Sequence, residues 1–210
     1  MLITQQQLQK IAPSLKDDYA KEITDLLNLI CPQYGITPAA FNCFLATIVH
    51  ESGEFSIKEE SLNYTHAQRI VDVWPSRFNL TGSNGKLNAN DYVRNPQKLA
   101  NAVYNNRMGN RPDSSDGWDF RGSGFIQLTG RESFQRYGTY HGITDLEDVA
   151  EKLRTLDWWA VDSACWEFAI DKKLIPIAEN GDFKTVTLRI NGGLIGWNDR
   201  LNYYYRSIKS

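Results

Sequence analysis

Thr37-Pro38-Ala39-Ala40-Phe41-Asn42-Cys43-Phe44-Leu45-Ala46-Thr47-Ile48-Val49-His50-Glu51-Ser52-Gly53-Glu54-Phe55-Ser56-Ile57-Lys58-Glu59-Glu60 is the stretch on which the fold turns. Phe41, Phe44, Leu45, Ile48 and Val49 recur at the spacing of one buried helix face. Thr37 reads as an N-cap and Pro38 as the first helical residue. Gly53 breaks the pattern just after Glu51. At roughly 100° per residue, Glu51 falls near Phe44 in angle, at the edge of the apolar stripe. His50 points the other way. Glu60 follows on a separate element. A carboxyl at the rim of an apolar face is expected to be partly desolvated, as a proton donor requires. The plain alternative is a solvated glutamate at a helix end.

Helical patterning continues on both sides. Asp17 to about Cys31 places Tyr19, Ile23, Leu26, Leu27 and Ile30 at helical spacing, and Pro32 and Gly35 end it. Thr65 to about Val73 reads as a short helix stopped by Trp74-Pro75. Asn95-Pro96 opens another, to about Asn106. Later helices are expected over Asp145–Leu153, about Asp157–Lys172, Phe183–Ile190 and Trp197–Ile208. Thr144 with Glu147, and Thr129 with Glu132, resemble capping boxes. Asn79–Asn90, rich in Asn and Gly, reads as an exposed loop. Gly109–Gly124 is a long irregular stretch of the kind that often carries function. Phe120–Leu128 reads as a small β-hairpin or a tight loop. The expectation is a single domain over residues 1–210, all-α or strongly α-dominated with one small β element, two-lobed, with a cleft for a chain-like substrate.

The totals narrow the chemistry. A chain of 210 residues with formal net charge -2 offers no broad basic surface, which argues against nucleic acid as partner. Cys31, Cys43 and Cys165 are odd in number and flanked by apolar residues, so they read as buried thiols. No signal peptide is visible at Met1–Gln7, and no apolar run reaches membrane-spanning length. The expectation is cytoplasmic synthesis without membrane insertion, followed by release through a separate route. His50-Glu51 begins like a zinc motif, but Glu54 stands where a second histidine is needed, so no metal and no cofactor are expected. A cysteine nucleophile is disfavoured by apolar surroundings. Two carboxylates across a gap fit glycosidic bond cleavage. Trp118, in the irregular loop, is a candidate sugar platform, whereas Trp158, Trp159 and Trp166 read as core. Gln127 is either an ordinary turn residue or a sugar contact.

Four blocks, in order, resemble glycoside hydrolase family 19, the chitinase-like family. They are His50-Glu51-Ser52-Gly53 with Glu60-Ser61-Leu62-Asn63-Tyr64; Tyr104-Asn105-Asn106-Arg107-Met108-Gly109-Asn110; Asp116-Gly117-Trp118 with Phe120-Arg121-Gly122-Ser123-Gly124-Phe125-Ile126-Gln127-Leu128-Thr129-Gly130; and Ile190-Asn191-Gly192-Gly193 with Asp199-Arg200 and Tyr203. The second block and the compact length are more similar to the bacteriophage endolysin branch than to plant chitinases. The resemblance implies a lysozyme-like fold and an inverting mechanism. It implies Glu51 as general acid, Glu60 as general base with Glu59 as the neighbouring candidate, and Thr129 as holder of the attacking water. It gives His50, Asn63, Tyr64, Trp118, Gln127, Asn191 and Arg200 as the candidate substrate-binding set. Two departures, Ser123 for an expected arginine and Ser133 for an expected asparagine, bear on subsite detail. The expected substrate is bacterial peptidoglycan, with chitin as runner-up, a glycan-binding protein without turnover as the non-enzymatic alternative, and a monomer as the default state.

Overall fold

A computed structural model describes residues 1–210. In chain order the helices are α1 (Gln5–Ile11), α2 (Asp17–Ile30), α3 (Pro38–Glu51), α4 (Ala67–Val73), α5 (Pro96–Tyr104), α6 (Asp116–Asp119), α7 (Arg131–His141), α8 (Leu146–Thr155), α9 (Asp157–Trp166), α10 (Ile175–Glu179), α11 (Phe183–Asn191) and α12 (Trp197–Lys209). Two strands of two residues each, β1 (Phe78–Asn79) and β2 (Leu87–Asn88), pair in parallel with Phe78 opposite Leu87. The α-dominated expectation therefore holds. No helix is long and apolar enough to cross a membrane. The chain divides into two compact units, one of Met1–Lys58, Ser123–Gln127 and Glu151–Ser210, the other of Glu59–Gly122 and Leu128–Ala150.

In the first unit α3 is the central helix. Its stripe is buried as expected, and Ala40, Cys43, Ala46 and Thr47 are buried as well. A helix apolar nearly all round must be surrounded, and α10, α11 and α12 pack against it. Thr37 accepts from the Ala40 N–H, capping the start with Pro38 just inside. The end is a sharp reversal. Ser52 Oγ donates to the Ile48 carbonyl and accepts from the Phe55 N–H. Gly53, Glu54 and Phe55 all take positive φ. Two consecutive non-glycine residues there are strained, and both are held. The Phe55 ring is buried edge-on against Phe125 at 5.2 Å. The Glu54 carboxylate accepts from the Ser14 N–H and the Tyr203 hydroxyl. All three cysteines are buried and free, with the Cys31 and Cys165 sulfurs 3.6 Å apart. Burial pushes the Cys43 thiol up to about 11.

In the second unit Ile70, Phe78, Tyr92, Leu99 and Val103 form one core cluster, with Tyr64 and Trp74 packed against it. Its long irregular stretch is organised by one carboxylate. Asp116, fully buried, accepts from the Arg111 N–H, the Arg111 guanidinium and the Arg131 guanidinium. Burial alone would push this carboxyl up, but the two guanidinium groups outweigh it and hold it well below the usual carboxylate range.

Several local expectations need correction. Of the two readings of Phe120–Leu128, hairpin or tight loop, the structure has the tight loop. Gly124 and Gln127 adopt positive φ, and Gly124 lies so close to Ser163 that a Cβ there would come within 2.8 Å of its hydroxyl oxygen. The segment is a compact turn, and the paired strands, Phe78–Asn79 and Leu87–Asn88, overlap instead the Asn79–Asn90 region read as loop. There Asn79 Oδ1 gathers the N–H groups of Thr81, Gly82 and Ser83, closing the loop so that its ends pair. The N-cap of α7 is Gly130 with no side-chain cap, so Thr129 is not in a capping box. Asp145, not Thr144, caps α8, its carboxylate accepting from the Asp148 N–H. Only Trp166 of the three later tryptophans is core; Trp158 is exposed and Trp159 half-buried.

Candidate active site

The candidate residues fall into two groups, one in each unit. In the first unit, Glu51 is the last residue of α3, and its side chain is about one-fifth exposed. An apolar rim is only part of its surroundings. Arg200, buried on α12, donates from Nη2 to Glu51 Oε1 at 2.6 Å. The same guanidinium donates from Nε to the Ile195 carbonyl at 3.3 Å, and the Asn191 amide reaches that carbonyl at 3.5 Å. Arg200 and Asn191 thus meet at the backbone of the 192–196 loop, and Arg200 links that loop to the carboxyl. Arg200 Nη1 is buried and has no hydrogen-bond partner. His50, a candidate sugar contact, has a protein partner of its own. Its Nδ1 lies 2.7 Å from Asp199 Oδ2, and its ring presses on Gly196, where a Cβ would come within 2.8 Å of it. His50 and Asp199 therefore brace the start of α12, which delivers Arg200. Gln127 donates to the Gly124 carbonyl of its own turn at 2.9 Å. Ser123 is fully buried, and its hydroxyl accepts from Arg154 at 3.3 Å, so it sits in the interior rather than against a ligand.

In the second unit, the neighbouring carboxylates Glu59 and Glu60 have different partners. Glu59, half exposed, takes the Arg121 guanidinium through Nε and Nη2. Glu60 is pinned at backbone and side chain. Its N–H donates to the Gly122 carbonyl at 2.9 Å, the Gly122 N–H reaches Oε2 at 3.3 Å, and the Tyr104 hydroxyl donates to Oε1 at 2.7 Å. Glu60, Asn63 and Trp118 line one cavity of about 300 Å³, together with Glu59, Ser61 and Pro96. The Arg121 guanidinium lies 3.6 Å from the Trp118 ring centre. It covers one face, so an incoming group meets the other face or the ring edge. Tyr64, expected at the substrate, stands edge-on against Trp74 at 5.6 Å and packs on the core cluster. Thr129 is half-buried on the link just before α7.

The block Tyr104–Asn110 is a brace. Asn110 donates to the Tyr104 carbonyl and accepts from the Arg131 N–H, joining the end of α5 to the start of α7. Tyr104, Arg121 and Asp199 are the site residues that sequence reasoning did not assign. Each stood inside a quoted block, but its role depends on a partner distant in sequence.

Comparisons with known proteins bear on the family and the fold. No protein-family model matches the chain. A curated Haemophilus influenzae (strain ATCC 51907 / DSM 11121 / KW20 / Rd) protein, named a glycosyl hydrolase family 19 domain-containing protein, is 36% identical over 166 residues, 77% of this chain and 74% of that protein. Two solved structures, a mutant of chitinase C and chitinase C from Streptomyces griseus HUT6037, align over 99% of this chain and 76% of theirs. Their TM-scores are 0.62 and 0.61 at 16% and 17% identity, a likeness of fold. With that identity over that share of both sequences, the chain belongs to glycosyl hydrolase family 19.

Proposed function

We propose that this glycoside hydrolase cleaves the glycan strands of bacterial peptidoglycan by an inverting general acid/base mechanism, with Glu51 as acid and Glu60 as base. One observation carries the assignment: the two carboxyls stand in different settings, each held at its Oε1 by a fixed donor, Arg200 for Glu51 and Tyr104 for Glu60. Glu51 is bonded to a buried arginine. Glu60 accepts from a phenol and a backbone N–H beside a cavity lined by Trp118, Pro96, Leu62, Ser61, Asn63 and the Arg121-paired Glu59. Such a lining suits an uncharged amino sugar.

In this reaction Glu51 gives its proton to the leaving glycosidic oxygen. Arg200, already bonded to that carboxyl, neutralises the carboxylate left behind. Glu60 takes a proton from a water on the opposite face of the sugar, and the Thr129 hydroxyl holds that water. Inversion requires carboxyl groups about 6.5–9.5 Å apart, with room for the water between them. Replacement of Glu51 by Gln removes the proton while keeping shape, so turnover is expected to vanish with the fold intact.

The Tyr104–Asn110 block supports peptidoglycan over chitin, because it is similar to the endolysin branch. Chitin is the second reading, favoured by the names of the two solved chitinases. Mass spectrometry of soluble fragments from purified peptidoglycan and from chitin separates the two. Disaccharide-peptide fragments released faster than chitin oligomers support the first reading, and chitin oligomers alone overturn it.

A further inference from the structure

We propose that Tyr104 is a positioning residue for the general base, fixing Glu60 through Oε1 so that Oε2 is the oxygen that takes the proton from water. The inference rests on Glu60 being the base. Its geometry lies wholly within the second unit.

Tyr104 is the last residue of α5, whose inner face, Leu99, Ala100 and Val103, is buried. The helix end is fixed from two sides. The Asn105 N–H closes the last turn on the Asn101 carbonyl, and the Asn110 side chain holds the Tyr104 carbonyl at 3.0 Å. α6 comes so near that a Cβ on Gly117 would lie 2.6 Å from the Ala100 carbonyl oxygen. The phenol is thus delivered from a rigid element, and it donates to Glu60 Oε1 at 2.7 Å. The two oxygens of Glu60 are unequal. Oε1 carries the short bond from Tyr104, while Oε2 has only the long 3.3 Å contact from the Gly122 N–H. A carboxylate anchored at one oxygen cannot rotate, and proton removal falls to the less occupied oxygen.

The charged and titratable neighbours are Glu59 and Arg121, which pair with each other, Tyr64 from the 59–66 segment, and Arg107 just after α5. Burial and the Glu60 charge push the Tyr104 hydroxyl far above the ordinary phenol value, so it stays protonated and can only donate to Glu60. Its removal leaves Oε1 without its short bond and frees the carboxylate to turn, so the loss should fall on kcat rather than on KM.

The test is Tyr104→Phe, with Glu60→Gln in parallel, assayed on dye-labelled peptidoglycan sacculi and on N-acetylglucosamine oligomers. Expected for Tyr104→Phe is a loss of about tenfold in kcat with less than about twofold change in KM. Site-specific 3-fluorotyrosine at position 104, which keeps the donor hydroxyl at nearly the same shape, should hold kcat within about twofold of wild type. Site-specific 4-aminophenylalanine, which keeps a donor at that place, serves as the readout if the phenylalanine variant does not fold. An unchanged kcat in Tyr104→Phe, or an equal loss in the fluorotyrosine protein, overturns the role of Tyr104. A Glu60→Gln protein that keeps turnover overturns instead the assignment of the base.

Discussion

Replacement of Asp116 by Asn tests how the second unit holds the loop that carries Trp118 and Arg121. The carboxylate is fully buried; the Arg131 side chain is 22% exposed and the Arg111 side chain 62%. Removing one partner of a buried ion pair costs about 3–5 kcal/mol. The Arg111 arm adds little, because an exposed guanidinium is well solvated. Asparagine keeps one acceptor oxygen for the Arg111 N–H but turns an amide N–H toward a guanidinium, so the loss should sit near the lower end, about 3 kcal/mol. For a chain of this size that is a fall in Tm of roughly 6–12 °C. The pH dependence has a definite sign. The folded-state value of Asp116 is depressed, so its contribution is fully present above the unfolded aspartate value and is lost as pH falls through the folded one. The gap in Tm between wild type and Asp116→Asn should therefore be constant near neutrality and narrow below about pH 4. Circular dichroism melts across pH measure both. A neutral-pH Tm within about 2 °C of wild type would refute the reasoning, since a largely buried guanidinium left with only the exposed Glu147 carboxylate should cost more than that.

Other predictions concern the site. Trp118→Ala removes the ring at the Glu60 cavity, so KM should rise about tenfold with kcat nearly unchanged; steady-state kinetics on soluble oligomers read the split. Arg200→Lys keeps the charge but not the fork that reaches both Glu51 and the Ile195 carbonyl, so kcat should fall at least about tenfold in a folded protein. Thr4→Ala removes a capping box at α1 and should cost about 1 kcal/mol in denaturant unfolding, with activity unaffected.

What the sequence made legible follows from which interactions are local. The course of α3, its Thr37 cap and its stop near Gly53 are written in spacing and residue type within one segment. The start of α5 at Asn95-Pro96 is legible for the same reason. α1 was missed because its glutamine run lacks a strong apolar period, although Thr4 and Gln7 form a capping box that the spacing alone would have suggested. α10 is five residues long, too short for any periodicity to mark it. At the site, residue types were legible and pairings were not. Arg200 meets Glu51 across 149 positions and Tyr104 meets Glu60 across 44, and no local rule encodes either encounter. Nor does any local rule encode the packing of Tyr64 on the core cluster or the meeting of His50 with Asp199 across 149 positions. Between the hairpin and the tight loop open for 120–128, the packing of Gly124 against Ser163, far off in sequence, goes with the loop.

The central claim is that one carboxyl donates a proton while the other activates a water, in a single displacement. Proton NMR of the first-formed product, recorded before mutarotation, tests it most directly. The account predicts a new reducing end of inverted, α configuration from the β-linked strand. A first-formed β anomer would mean retention through a covalent intermediate and would contradict it.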